Sequence, residues 1–151
     1  MHTELARVYA AILVVVVNWT CPQCDRTFGR TNQSHVCLPV AAVDDYFATR
    51  PVYEREIYDA VVGHLQRVGT VDVEAATVGI LVKRRRTFVE LRPKQKWVEL
   101  SIMLTRPIDD PRVSRRIVVS RGRFAYFFRL RSAADVDDDL QELLTESCLA
   151  F

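Results

Sequence analysis

The alternation of apolar and polar residues between Val78 and Leu104 is the feature that most constrains the fold of this chain. Successive side chains of a β-strand point to opposite faces of the sheet, so this alternation predicts strands that bury one face. The apolar positions are Val78, Ile80, Val82, Val89, Leu91, Val98, Leu100, Ile102 and Leu104. Turns at residues 85–86, 93–96 and 121–122 bring the apolar positions of neighbouring strands onto one face. The first turn pairs Val82 with Val89 and Ile80 with Leu91. The second turn pairs Leu91 with Val98 and Val89 with Leu100. The third turn pairs Val119 with Phe124 and Ile117 with Tyr126.

Two helices are predicted to cover the apolar face of this sheet. The first begins at Pro51 and ends at Gly69, and the second begins at Ser132, where Ser132 and Asp135 have the pattern of a capping box. Their apolar positions recur at helical spacing: Ile57, Val61, Leu65 and Val68 in the first helix, and Val136, Leu140, Leu143, Leu144 and Cys148 in the second. The expected fold class is α+β, a two-layer domain with an antiparallel sheet of about five strands and two helices packed on one face.

Four metal-ligand residues precede this domain. Cys21 and Cys24 form a Cys-x-x-Cys pair, and His35 and Cys37 form a His-x-Cys pair ten residues later. Thiolates and imidazole are favoured zinc ligands, and four protein ligands leave no position for a reacting water. The spacing therefore predicts a structural zinc ion in an N-terminal zinc knuckle whose folding depends on the metal. A redox-active Cys-x-x-Cys pair is the alternative.

The chain is expected to have three parts: an apolar extension at residues 1–17, the zinc knuckle at 18–40 and the α+β domain at 41–151. The apolar run from Tyr9 to Val17 is about half the length of a membrane-spanning helix, and no cleavage motif of a signal peptide follows it. Translation starting at one of the valines 14–17 would remove this extension. Four cysteines with metal-ligand spacing fit a reducing compartment, so a cytoplasmic location without membrane association is expected.

Positive charge is concentrated in one part of the chain. Residues 82–131 carry 15 Lys or Arg against 4 Asp or Glu, a balance of +11, although the whole chain has a formal charge of only +2. Such asymmetry predicts one basic and one acidic surface. An anionic partner is one interpretation, and attraction between the two surfaces within the fold is the other.

The predicted register gives the second face of the sheet an unusual composition, because aromatic side chains alternate there with basic ones. Its residues are Leu81, Lys83, Phe88, Glu90, Arg92, Trp97, Glu99, Ser101, Met103, Arg116, Arg123, Phe127, Arg129 and Arg131. Aromatic rings and arginines suit single-stranded nucleic acid, in which bases stack and phosphates pair with cations. They equally suit a pocket for a small anionic molecule. In a third interpretation, the knuckle or residues 1–17 cover this face of the sheet, and the aromatic residues form a second small core. The candidate binding residues are Lys83, Arg92, Trp97, Arg116, Phe127 and Arg129.

Two carboxylates, Glu90 and Glu99, are expected to lie opposite each other on that face. Like charges in this arrangement need a neighbouring cation, and an ion-pair cluster is the expected result. A carboxylate pair for acid–base chemistry is the alternative. No nucleotide-binding loop or serine-hydrolase motif accompanies it, so no catalytic residue is assigned.

Several segments resemble small bacterial proteins that carry the domain of unknown function numbered 5655. The resemblance covers residues 18–148. In the knuckle, the matching residues are Trp19, Cys21-Pro22, Cys24, Arg26, Phe28, Arg30, Gln33, His35 and Cys37. In the α+β domain, the matching segments are Asp44 to Phe47, the helix from Tyr53, Leu104 to Ile108, and Phe127 to Leu130. The resemblance implies a small α+β domain and no settled activity. Some relatives occur beside nuclease-like domains, which implies an association with nucleic acid.

These observations lead to one main hypothesis, a non-enzymatic binding module with structural zinc that contacts nucleic acid or another anionic partner. An enzyme or receptor for a small anionic metabolite on the same face is the first alternative. A protein-interaction module that uses the acidic last helix is the second. The sequence does not indicate the oligomeric state.

Overall fold

The computed structural model describes residues 18–22, 27–34 and 43–151. The chain divides into two compact units, residues 1–40 and 41–151. The predicted apolar extension at residues 1–17 lies outside the described residues, so it stays a prediction. Among the described residues, no helix is both long and apolar enough to cross a membrane.

The second unit contains a six-stranded sheet in which every neighbouring pair is antiparallel. Strands β1 (Trp19–Thr20) and β2 (Thr27–Phe28) belong to the first unit. The strands of the large sheet are β3 (Asp72–Ala76), β4 (Gly79–Lys83), β5 (Thr87–Pro93), β6 (Val98–Leu104), β7 (Val113–Ser120) and β8 (Arg123–Leu130). Their order is β3-β4-β5-β6-β8-β7, so β8 lies between β6 and β7. The sheet therefore has six strands instead of about five, because β3 was not predicted.

Two helices cover one face of this sheet, which confirms the α+β class. Helix α1 (Val43–Phe47) is a short turn, and helices α2 (Val52–Val68) and α3 (Asp138–Ala150) are long enough to pack along the strands. Their buried residues meet every second residue of the central strands, which is the alternation expected of a half-buried sheet. The core includes Ile57, Val61, Leu65, Ile80, Val82, Val89, Leu91, Leu100, Ile102, Leu104, Tyr126, Phe128, Leu140 and Leu144. We call this side of the sheet the helix face and the opposite side the outer face.

The ends of the helices follow the sequence signals with one difference. Pro51 precedes α2 and Gly69 follows it, as predicted. The capping box of Ser132 and Asp135 is present, but it closes a short 3-10 turn at Ala133–Asp135. The α-helix itself begins later, where the side chain of Asp137 accepts a hydrogen bond from the backbone N–H of Leu140. A carboxylate at this position satisfies an otherwise unpaired amide and favours the positive end of the helix.

The register of the first hairpin is confirmed, whereas that of the second differs by two residues. Ile80 pairs with Leu91, and Val82 pairs with Val89. In the next hairpin, Leu91 pairs with Leu100 instead of Val98. The loop there spans residues 94–97 and is closed by a 2.8 Å hydrogen bond from the Lys94 amide to the Trp97 carbonyl. A shift of two residues preserves the face of every side chain, so the predicted burial of this hairpin is still correct.

The register of β7 differs by one residue, and there the faces change. The turn at residues 121–122 is present, but β7 has two irregularities, between Val113 and Arg115 and between Val118 and Ser120. Each extra residue reverses the orientation of the side chains beyond it. As a result Ile117 pairs with Ala125 on the outer face, although it was predicted to pair with Tyr126. Ile117 and Val119 are 42% and 50% exposed along this edge strand, so the prediction that they join the apolar face is wrong. Val118 between them is 59% exposed.

A side chain from the loop between β4 and β5 caps the last helix. Nη1 of Arg84 donates a 2.8 Å hydrogen bond to the backbone carbonyl of Cys148 in α3. A cation at this end of a helix satisfies a terminal carbonyl and opposes the helix dipole. Replacing Arg84 by methionine, which keeps the length of the chain, is therefore expected to lower the free energy of unfolding by about 1 kcal/mol.

The neighbouring Arg85 supplies a matched control for this prediction, since it is exposed and makes no ion pair with any described residue. Arg85→Met is expected to change the free energy of unfolding by less than about 0.5 kcal/mol. Urea unfolding curves of both variants and the wild type provide the comparison. Equal stability of the two variants would show that the capping contact contributes nothing.

Candidate anion-binding face and metal ligands

The first unit contains a short hairpin next to the first predicted zinc ligand. Strands β1 and β2 are antiparallel, with Trp19 opposite Phe28 and their ring centroids 6.0 Å apart. Cys21 directly follows β1, and its side chain is only 3% exposed. Thiolate ligands of structural zinc ions are commonly buried in this way, so the position of Cys21 fits the predicted role.

The other three predicted zinc ligands, Cys24, His35 and Cys37, lie outside the described residues. The described ranges contain no cluster of three or more His, Cys, Asp or Glu side chains able to hold a metal ion. The zinc site therefore stays a prediction that depends on the sequence spacing and on the buried position of Cys21.

The outer face of the large sheet has two halves with different charge. In the half formed by β3, β4 and β5, the basic side chains are paired with carboxylates. Nζ of Lys83 lies 2.6 Å from Glu74, and Nη2 of Arg92 lies 3.0 Å from Glu90. Asp72 pairs with Lys83 in the register and adds another negative charge. This half consequently has no excess of positive charge.

The half formed by β6, β7 and β8 has a clear excess of arginine. Arg115 lies opposite Phe127, its guanidinium carbon is 4.0 Å from the ring centroid, and it makes a 3.6 Å ion pair with Glu99. Arg129 lies opposite Glu99 in the register, and its guanidinium carbon is 5.0 Å from the centroid of Trp97. Stacking on an aromatic ring holds a guanidinium in place while its edge remains able to donate hydrogen bonds.

Two further arginines extend this positive region along β8. Arg123 begins the strand on the outer face and is half-buried, and Arg131 follows the strand and is exposed. In the described part of the chain, no carboxylate lies within ion-pair distance of Arg123, Arg129 or Arg131. We call Arg115, Arg123, Arg129 and Arg131 the arginine strip. The strip carries four cations, and one of them, Arg115, forms an ion pair with Glu99.

The structure divides the six candidate binding residues into three groups. Trp97, Phe127 and Arg129 lie together beside the arginine strip. Lys83 and Arg92 are on the outer face, but each is paired with a glutamate. Arg116 pairs with Tyr126, whose side chain is in the core, so Arg116 is on the helix-face side of β7. The predicted position of Arg116 is therefore wrong, because the irregularity in β7 reverses its orientation.

The aromatic side chains are less accessible than the sequence suggests. Phe88 is 2% exposed and belongs to the hydrophobic core, and Phe127 is 8% exposed beneath Arg115. Trp97 is half-buried, and its indole N–H has no hydrogen-bond acceptor among the described residues. A nucleotide base could stack on Phe127 only if Arg115 moved, so the guanidinium groups are the accessible part of this face.

The carboxylate pair expected at Glu90 and Glu99 does not form. Glu90 lies opposite Ser101, and Glu99 lies opposite Arg92. The two-residue difference in register separates the glutamates, and each of them has an arginine partner, Arg92 for Glu90 and Arg115 for Glu99. The arrangement is the ion-pair cluster that the sequence favoured, and it offers no paired carboxylates for acid–base chemistry.

The segment from Leu104 to Ile108 leads from β6 into the connection to β7 and makes contacts with α3 and β8. Arg106 donates three hydrogen bonds to the carboxylate of Glu146 in α3: from Nε to Oε1 (3.1 Å) and Oε2 (3.0 Å), and from Nη2 to Oε1 (2.9 Å). The amide of Ile108 donates a 2.9 Å hydrogen bond to the hydroxyl of Tyr126. These contacts attach the connection to α3 and β8.

His64 also has a structural contact. Its Nε2 lies 2.8 Å from the hydroxyl oxygen of Thr145 and so connects α2 with α3. Partial burial lowers the pKa of His64, and the nearby charge of Arg67 lowers it further. A neutral imidazole shared between two helices fits the structural interpretation of this residue.

One family model matches the chain: the model described as Domain of unknown function (DUF5655) covers residues 43–148. No curated protein and no solved structure matches the chain. The matched segment includes α2, the complete six-stranded sheet and all but the last two residues of α3. The predicted zinc ligands lie before it.

Proposed function

The chain belongs to the DUF5655 family, and we propose that this member is a binding module that holds an anionic polymer, such as single-stranded nucleic acid, on its arginine strip. The observation that carries the proposal is the excess of uncompensated arginine on one half of the outer face. Guanidinium groups donate paired hydrogen bonds to phosphate oxygens, and each phosphate contact releases a counterion from the nucleic acid. Four cations along two neighbouring strands suit a chain of phosphates better than one small anion.

Recognition at this face is expected to depend on phosphates more than on bases. Phe127 is covered by Arg115, and the ring of Trp97 is occupied by Arg129. Base identity is read by stacking and by hydrogen bonds to exposed base edges, and the buried rings provide little of either. The proposed module therefore binds many sequences with similar affinity.

Titration of a fluorescein-labelled DNA strand of about 20 nucleotides with the full chain, followed by anisotropy, tests this function. Saturable binding is expected, with dissociation constants that differ by less than about threefold between poly(dT) and a mixed sequence. A dissociation constant weaker than about 100 μM in low salt would contradict the proposal, since it would be weaker than ordinary non-specific binding. Binding of only one sequence would contradict the phosphate-based mechanism.

We also propose that Cys21, Cys24, His35 and Cys37 bind one structural zinc ion in the first unit. The four-ligand spacing and the burial of Cys21 beside the β1–β2 hairpin support this site. Zinc would fix the four side chains and supply folding free energy to a segment that is too short for a core of its own. Such a use of cysteine places the protein in a reducing compartment, which fits a cytoplasmic location.

Metal analysis of the full chain is expected to find one zinc ion per protein. Cys37→Ser removes one predicted ligand, so it is expected to abolish stoichiometric zinc. Cys148→Ala is the matched control, because Cys148 is buried in α3 of the second unit and should leave the zinc content unchanged. Zinc-free wild-type protein with a disulfide between Cys21 and Cys24 would contradict the site and favour the redox alternative.

A further inference from the structure

One carboxylate, that of Glu99, lies among the arginines of the outer face. Its position in β6 is directly opposite Arg92 of β5 on one side and Arg129 of β8 on the other. Side chains opposite each other on one face of a sheet have Cβ atoms about 5 Å apart. From β7, Arg115 reaches over Phe127 and places its Nη2 at 3.6 Å from Oε1 of Glu99. The side chain of Glu99 is only 16% exposed, so arginines of three strands flank an acidic group that is largely removed from water.

These arginines are not fully used by Glu99. The 3.6 Å distance to Arg115 is beyond hydrogen-bond distance. Nη2 of Arg92 lies 3.0 Å from Glu90, and the guanidinium of Arg129 is stacked over an aromatic ring. Each guanidinium has five N–H groups, so all three arginines remain able to donate further hydrogen bonds to an anion at the position of Glu99.

A small anion that entered this position would have to compete with the carboxylate of Glu99. Guanidinium groups bind phosphate through paired hydrogen bonds, and a carboxylate presents its two oxygens to the same donors. An incoming phosphate therefore either lies beside a like charge or displaces it. Because Glu99 is attached to β6, it competes at the high effective concentration of an intramolecular group.

A polymer is less affected, because the arginine strip extends beyond the reach of Glu99. Arg123 is six residues from Arg129 and thus about 20 Å away along β8, and Arg131 follows the other end of the strand. Contacts at Arg123 and Arg131 hold the polymer on the face, so its middle phosphates reach Arg115 at high effective concentration too. A charge that opposes the wrong partner more than the right one is a general source of specificity.

We propose that Glu99 is a specificity-determining residue, which excludes single phosphates and other small anions from the arginine strip and so restricts the strip to polymers. The inference rests on the proposed function and defines its partner more closely, as a polyanion long enough to reach Arg123 or Arg131 as well as Arg115. Removing the charge of Glu99 converts the same arginines into a site for inorganic phosphate. A residue that only positioned Arg115 would have the opposite effect, since its loss would weaken the binding of every anion.

Thermal unfolding of the full chain in sodium phosphate, with sodium chloride at equal ionic strength as reference, tests the proposal. Phosphate stabilises folded proteins in general, and the wild type defines that background. Glu99→Gln is expected to add a rise of about 3–6 °C at ten times its Kd for phosphate, for a chain of this size. Glu90→Gln is the matched control, because it frees Arg92 on the same face but leaves Glu99 in place, and it is expected to show the background alone. Adding Arg115→Ala to Glu99→Gln is expected to remove the additional rise.

Anisotropy titrations of the labelled DNA strand separate this inference from the proposed function. Glu99→Gln is expected to bind DNA about 2- to 5-fold more tightly than the wild type at 0.1 M salt, because a like charge is gone from the strip. No additional rise in Glu99→Gln up to about 20 mM phosphate, well above the Kd of a weak specific site, would overturn the role of Glu99 even if the wild type binds DNA. An equal rise in Glu90→Gln, or weaker DNA binding by Glu99→Gln, would overturn it as well. A phosphate rise confined to Glu99→Gln, with no DNA binding by the wild type, would support the exclusion of small anions and overturn the proposed function instead.

Discussion

Gly79→Ala is expected to lower the free energy of unfolding by about 3–5 kcal/mol, the largest effect of any single change predicted here. Gly79 begins β4 with φ of 156°, a conformation that residues with a side chain rarely adopt. A Cβ atom at this position would lie 2.1 Å from the carbonyl oxygen of Leu91 and 3.1 Å from Cα of Arg92. Because both neighbours are backbone atoms of the adjacent strand, the sheet itself would have to move.

Gly122→Ala separates the close contact from backbone strain. Gly122 has φ of 73° in the turn between β7 and β8, but a Cβ there meets no atom within 4 Å. The control is therefore expected to cost about 1–2 kcal/mol, the strain of a left-handed residue alone. Urea unfolding followed by far-UV circular dichroism measures both variants. If Gly79→Ala is no more destabilising than Gly122→Ala, the close approach of β4 and β5 does not limit stability.

Removing Arg123 and Arg129 together is expected to weaken nucleic-acid binding by about 10- to 30-fold at 0.1 M salt, approximately what two lost phosphate contacts cost. Arg123 has no carboxylate partner among the described residues, and Arg129 is held over Trp97. Both positions are on the outer face of β8, so each substitution removes charge from the arginine strip directly. Anisotropy titrations of Arg123→Ala/Arg129→Ala and the wild type measure the effect.

A second double variant distinguishes local contacts from net charge. Lys83→Ala/Arg92→Ala changes the formal charge by the same two units on the same face, but it removes cations that are paired with Glu74 and Glu90. Its affinity is expected to fall by less than about threefold, through the long-range field alone. Equal losses in the two double variants would mean that binding follows net charge and that the arginine strip is not the site.

Strand alternation predicted the faces of the central strands better than it predicted their partners. Leu100 was predicted to be buried and is buried, although it pairs with Leu91 instead of Val89. Because side chains alternate with a period of two, a register that is wrong by two residues still puts each side chain on the correct face. The position of the loop depends on the hydrogen bond from Lys94 to Trp97, which no residue pattern specifies. Strand β3 was missed because its sequence, DVEAA, has a single large apolar residue, Val73.

The candidate site could be predicted only in part, because the alternation of residues does not reveal irregularities in a strand. Phe127 and Arg129 were placed correctly on the outer face because β8 is regular over this region. Trp97 lies in the loop before β6, and its ring is beside Arg129. Arg116 was misplaced because β7 contains irregularities that the alternation of its residues does not reveal. The sequence also gives no sign that Lys83 is neutralised, since its partner, Glu74, is on the strand that was missed.

The dependence of DNA affinity on salt concentration tests the central claim most directly, because counterion release reports the number of phosphates that the protein contacts. If the four cations of the arginine strip each contact one phosphate, a plot of log Kobs against log salt has a slope of about −3 for the wild type. In Arg123→Ala/Arg129→Ala the slope is expected to be shallower by about 1.4. A wild-type slope near zero, or equal slopes for the two proteins, would contradict binding of an anionic polymer by the arginine strip.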